Sequence, residues 1–175
     1  MRKPLSVIAA AIGFGLVAAT SLPAVADDTV VTFSITAEGL TVSAPGSANL
    51  GPVASGAASV SGQIGPITVT DDRGTLNGSW NATVISTDFT TGEGTGPETI
   101  PNINVSYSPG PATATTGTGT FTPGPGGIVN VPRVAFAGTE LVGNDSVTWN
   151  PTLTVTIPSA AVAGTYSGTV THSVG

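Results

Sequence analysis

The chain contains no cysteine, and its only lysine is Lys3. Disulfide bonds, thiolate metal sites, thiol nucleophiles and disulfide exchange are therefore excluded. Stability must come from burial and from sheet hydrogen bonds. Positive charge is equally scarce. From residue 27 onward only Arg73 and Arg133 oppose ten carboxylates, a formal charge of −8. A basic footprint for nucleic acid is absent, and an anionic lipid surface would repel such a chain. Aromatic residues make up 5% of the sequence and there is one histidine, His172. Beyond the first residues no apolar stripe of helical period appears, so helices have nothing to build a buried face from.

The one long apolar run lies at the start. Arg2 and Lys3 precede an apolar stretch from Leu5 to Ala19, Pro23 breaks it, and Ala24-Val25-Ala26 supplies the small-x-small pattern cut by signal peptidase. Residues 1–26 are read as a secretory signal peptide, with cleavage before Asp27. The run is too short and too rich in Ala and Gly for a membrane span. The expected product, residues 27–175, is a single secreted domain with no membrane span after cleavage. No sortase-type tail, C-terminal apolar anchor or basic end is apparent, so retention outside the cell is expected to come from the folded surface.

Thr, Val, Gly and Pro dominate what remains. β-Branched side chains fit a pleated surface, and Gly and Pro punctuate strands with turns. Val31, Phe33 and Ile35 alternate with Thr32, Ser34 and Thr36, which predicts a first strand with one buried face. Leu40 and Val42 continue it. Ile67 and Val69 open a strand running into Asp71-Asp72-Arg73-Gly74. Trp80, Ala82 and Val84 alternate beyond a structured loop. Ile103, Val105 and Tyr107 predict another strand. Residues 90–99 and 108–127 read as long loops, with a short edge strand near Thr115–Thr122. Val147, Trp149, Leu153, Val155 and Ile157 share one parity, interrupted at Pro151 by a bulge or an edge position. Tyr166, Val170, His172 and Val174 form the last alternation. This spacing predicts an all-β fold, an antiparallel β-sandwich with Ig-like or Greek-key connections, with a closed barrel as the alternative.

Two segments resemble a known family. One is Ile67-Thr-Val-Thr-Asp-Asp-Arg-Gly-Thr-Leu-Asn-Gly-Ser-Trp80. The other is Ser146-Val-Thr-Trp149, followed by Leu153, Pro158 and Gly-Thr-Tyr-Ser-Gly-Thr-Val-Thr-His-Ser-Val. Together they resemble WxL-domain surface proteins of Gram-positive bacteria. In that family a strand enters an Asp-x-Arg-Gly turn and a Gly-Trp segment, and a second Trp-x-Leu lies near the C terminus. Ala82 and Pro151 stand where the family has Leu, so neither strict triplet is present. The resemblance implies an exported, non-catalytic sandwich held non-covalently at the cell wall, through peptidoglycan or another wall glycan. The alternatives are a structural subunit that assembles with other surface proteins (a pilin-like or spore-coat-like β-domain) and a carbohydrate-binding module.

Trp80, Asp71, Asp72, Arg73 and Trp149 are the candidate ligand-binding residues. A buried Trp removes about 150–250 Å² from water, an upper estimate of roughly 4–6 kcal/mol. A core this poor in large side chains can hardly leave both outside. Trp149 lies on the buried parity, whereas Trp80 follows Asn-Gly-Ser and is the better candidate for stacking on a sugar. Asp71, Asp72 and Arg73 could bond sugar hydroxyls or a peptide stem, or could simply make a turn. Asp71, Asp72, Asn144 and Asp145 offer oxygen ligands, but no 12-residue calcium loop is present, so no metal and no cofactor are expected. His172 has no nucleophile elbow to serve and reads as a residue packed at a strand end. Asn77-Gly-Ser, Asn81-Ala-Thr and Asn104-Val-Ser match the glycosylation pattern, which a chain this rich in Ser and Thr produces by chance.

Overall fold

A computed structural model of the chain describes residues 29–175. The expected signal peptide lies outside the described residues. Met1–Ser34 and Ile35–Gly175 are separate units. Of the first, residues 29–34 are described; they carry no strand and are exposed. The strand predicted over Val31–Ile35 is not formed, since Val31, Phe33 and Ile35 are 82%, 87% and 87% exposed. Alternation marks the two faces of a strand but does not supply the neighbour that completes its hydrogen bonds.

Ile35–Gly175 is an antiparallel β-sandwich, and no closed barrel forms among the described residues. In chain order its strands are β1 (Leu40–Ser43), β2 (Ser59–Gln63), β3 (Ile67–Ser86), β4 (Phe89–Thr90), β5 (Thr99–Ile100), β6 (Val105–Ser108), β7 (Ala112–Pro123), β8 (Gly127–Ile128), β9 (Arg133–Trp149), β10 (Thr152–Thr156) and β11 (Val170–Val174). One sheet runs β1-β3-β9-β7, with β11 also paired to β3. The other runs β2-β10-β6-β8. β4 and β5 form a separate two-stranded ribbon.

The long pair β3–β9 is the frame. Ile67 pairs with Trp149 at one end and Val84 with Arg133 at the other. Asp71-Asp72-Arg73-Gly74 was expected to be a loop between two strands; instead it is a bulge within the single strand β3. Gly74 (φ 63°) and Asn77 (φ 60°) take left-handed conformations, answered on β9 by Gly143 (φ 79°) and Glu140 (φ 56°). The register slips between Asp71 and Thr75 and again up to Trp80. Both strands absorb extra residues there, so the ladder bends without reversing.

Other expectations shift in the same way. The edge strand near Thr115–Thr122 is longer, spanning Ala112–Pro123, and follows β9 along most of its length. Ile103 lies in a 3-10 turn before β6 and is half exposed. At buried Pro151 the chain leaves one sheet for the other, Trp149 ending β9 and Leu153 lying in β10. The shared parity of Val147, Trp149, Leu153 and Val155 is thus two opposing inner faces meeting in one core. Proline has no N–H for a ladder, which suits it to such a crossing. Val69, Val84, Val105, Phe136, Leu141 and both tryptophans belong to that core cluster.

Candidate functional site

The bulge in β3 buries charge. Asp71 is fully buried on the inner parity with Ile67 and Val69. Arg73 doubles back over it. Arg73 Nε donates to Asp71 Oδ1 at 2.8 Å and Nη2 donates to Oδ2 at 2.7 Å. The Arg73 backbone N–H also donates to Oδ1, at 3.1 Å. Nη2 reaches Ser79 O at 3.0 Å, tying the two sides of the bulge together. The Arg73 side chain is 32% exposed. Its hydrogen bonds hold the Asp71 carboxyl below the usual range, against the upward push of burial.

Directly across the ladder from Asp71 stands Asp145 of β9. It is 3% exposed, and neither of its carboxyl oxygens has a hydrogen-bond partner. Burial and then the Asp71 charge push its pKa up, opposed by the Trp80 indole N–H and by Arg73. Trp80 Nε1 itself closes no full hydrogen bond, nor does Thr75 Oγ1. On acidification Asp145 therefore takes up its proton before Asp71 does.

Trp80 is 2% exposed, which corrects its expected role as a sugar-stacking ring. Its ring lies against Gly138, where an added Cβ would sit 2.6 Å from Cε2, and beside Phe121 at 6.2 Å between centroids. Only glycine leaves room for the indole. Asp72 is partly exposed, one position off the buried parity, and its backbone pairs with Gly39 and Glu38. Among the described residues no three acidic or His groups converge as a metal site, and Arg73 already occupies both oxygens of Asp71.

Trp149 is fully buried in the same core but among different polar partners. It stacks on Phe136 at 4.8 Å, and its Nε1 donates to Tyr107 Oη at 2.8 Å. His172 Nε2 lies 3.1 Å from the same oxygen. The Tyr107 hydroxyl thus links the indole and the imidazole in one buried chain of polar groups. Burial lowers the His172 pKa to about 4 and raises that of Tyr107. Of the five predicted residues, then, Asp71, Arg73 and Trp80 are brought together, Asp72 faces away and Trp149 is apart. Tyr107 was not singled out as a site residue, and Asp145 only as one of four oxygen ligands weighed for calcium. The inward parity of Tyr107 was visible in the sequence, but the partners of Asp145 and Tyr107 lie 74 and 42 residues away.

The outer faces carry a different chemistry. On one sheet Thr41, Thr70, Ser146 and Thr116 are successive cross-strand neighbours, and Ser43, Thr68 and Thr148 make a second row beside them. Thr68 and Thr148 share a hydrogen bond of 2.9 Å, and Thr116 and Ser146 one of 2.8 Å. On the other sheet Ser61, Thr154 and Ser106 line up, with Ser61 and Thr154 bonded at 2.8 Å. The exposed surface of both sheets is thus rowed with neutral hydroxyls. In comparisons with known proteins, no family model, no curated protein and no solved structure matches the chain.

Proposed function

We propose that this is an exported, non-catalytic surface protein held non-covalently outside the cell, at the wall, by contact with peptidoglycan or another wall glycan. The hydroxyl rows on the sheet faces are the observation that carries this reading. Each Ser or Thr hydroxyl donates one hydrogen bond and accepts others. Rows of them spaced about 4.8 Å apart across the strands can match the hydroxyl and amide groups of a glycan. Such a surface needs no positive charge, which this chain lacks. At −8 it is repelled by anionic wall polymers at long range, so attraction must be short-ranged. With both tryptophans buried, hydroxyls replace aromatic stacking as the contact.

The test is co-sedimentation of residues 27–175 with purified peptidoglycan sacculi at several salt concentrations. Binding is expected to persist or strengthen with added salt. A Thr41→Val/Thr70→Val variant keeps the side-chain shape and removes two hydroxyls from one row. It is expected to stay folded and lose about tenfold or more in affinity, as two net hydrogen bonds imply. A folded wild type that fails to sediment, or that is released by moderate salt, overturns the proposal.

A further inference from the structure

The segment before β1 is out of keeping with the rest of the surface. From Thr29 to Ala37 it bears no charge, and Val31, Phe33 and Ile35 alternate with Thr32, Ser34 and Thr36. This is the composition of a strand with one buried face, yet all three apolar side chains are more than four-fifths exposed. A row of large apolar residues held in water is a mark of an interaction surface.

The sandwich carries a groove of matching chemistry. It has a volume of about 530 Å³ and runs between two connections, the one after β1 and the one from β10 to β11 that includes Val162, over residues of β2, β4, β5 and β10. Leu50, Val60, Phe89, Ile100, Val155 and Ile157 form its apolar lining, and no charged side chain borders it. Four of these, Leu50, Val60, Phe89 and Ile157, are only partly buried, although they pack against the core. β2, one wall, is hydrogen-bonded to a neighbouring strand on one side only.

We propose that residues 29–37 of one copy lie as an added strand in this groove of a second copy, and that the exchange is reciprocal. In an extended strand Val31, Phe33 and Ile35 recur about every 6.6–6.8 Å on one face, so three side chains can enter one groove while the threonines stay in water. An uncharged arm meeting an uncharged groove adds no repulsion between two copies that each carry −8. Nine arm residues and the twenty that line the groove give each copy about the 20–30 residues a side found in stable complexes. This inference does not rest on wall binding.

The first experiment is sedimentation velocity of residues 27–175 over a hundredfold range of concentration, beside Phe33→Glu. The wild type is expected to form dimers, and Phe33→Glu to remain monomeric with an unchanged far-UV circular dichroism spectrum. Wild type that is monomeric throughout, or a variant that dimerises equally, overturns the proposal. A second measurement uses the absence of native cysteine. In Phe33→Cys/Val162→Cys, which pairs the arm with a residue lining the groove, oxidation is expected to join two chains, seen as a dimer on a non-reducing gel. A disulfide within one chain would mean that the arm covers its own groove, and no disulfide would mean that it does not reach the groove. Either result overturns the exchange between copies.

Discussion

The sandwich contains two buried polar clusters, one at each tryptophan, and they are built to opposite standards. Around Trp149 most polar atoms are connected: the indole donates to Tyr107 and Tyr107 meets His172, leaving His172 Nδ1 and, next in the chain, Asn150 Oδ1 without a partner. Around Trp80 only the Asp71–Arg73 pair is satisfied, while the indole N–H, both Asp145 oxygens and Thr75 Oγ1 are not. A buried polar atom without a partner costs about 1–3 kcal/mol. The first cluster lies where β9 ends and the chain changes sheet; the second lies where β3 and β9 bulge. Regular pairing brings donors and acceptors into register, and a bulge displaces them. The contrast predicts that the Trp149 end anchors the fold and the Trp80 end gives way first.

Truncating the two rings is the strongest test of that contrast. Trp149→Ala removes the Phe136 stack and leaves Tyr107 without its donor, and is expected to cost about 4–5 kcal/mol. Trp80→Ala removes a ring whose N–H closes no full bond, and is expected to cost about 1 kcal/mol less. Urea unfolding of both variants, followed by intrinsic fluorescence of the remaining tryptophan, checks the order. A larger loss at Trp80 would break the comparison.

Arg73 comes next. Arg73→Ala leaves a fully buried carboxylate with no cation, expected to cost about 3 kcal/mol, the low end for a broken buried pair because the guanidinium is 32% exposed. Asp71→Asn on that background is expected to restore part of the loss, since it removes the stranded charge. Failure of that rescue in thermal unfolding would mean that Arg73 acts through Ser79 and the bulge instead of through Asp71.

The two clusters also respond to acid with opposite signs. In the unfolded chain His172 takes up a proton near 6.5, but in the folded protein burial lowers its pKa to about 4. Stability from this group is therefore full above pH 6.5 and is lost as pH falls toward 4, by about 2 kcal/mol after allowance for partial solvent access. Asp145 behaves in reverse. Its folded pKa is raised, so its ionised form costs stability at neutral pH and the cost is relieved on acidification. Asp71, with a lowered pKa, loses its contribution only below the ordinary carboxylate range. His172→Gln is expected to remove the acid loss between pH 6.5 and 4.5, leaving a protein more stable at pH 4.5 than at 7. Chemical denaturation across that range decides it, and an unchanged pH profile would remove His172 from the account.

Much of the fold was legible. Alternation marks the inner faces of β1, β3, β6, β10 and β11, because a half-buried strand writes its two faces into the sequence. The reading failed where parity slips. β9 begins at Arg133, thirteen residues before the alternation becomes clear at Ser146, because its bulges at Glu140 and Gly143 scramble the period. The Asp-Asp-Arg-Gly run has turn composition and sits in a bulge, since both need Gly at positive φ. Val31–Ile35 has strand composition and no strand beside it. The candidate site was legible in part: Asp71 and Arg73 are two residues apart, but Asp145 joins them only through the β3–β9 register. Trp80 was misplaced because a flexible-looking Asn-Gly-Ser precedes it, and nothing local shows that Gly138 opens a slot for its ring.

The smallest expected effect is the sharpest, because it carries the opposite sign. Asp145→Asn removes an unpartnered buried carboxyl facing Asp71, and an amide in its place can donate to Asp71 where a carboxylate can only repel it. The variant is expected to be about 1 kcal/mol more stable than wild type at pH 7. Its advantage should fade as pH falls, since wild-type Asp145 is then protonated and the repulsion is already gone. The remaining His172 response should make the variant's acid decline steeper than that of wild type. Most substitutions at buried positions destabilise, so a gain here, confined to neutral pH, would identify the Trp80 cluster as a place where the fold tolerates a charge it would be more stable without.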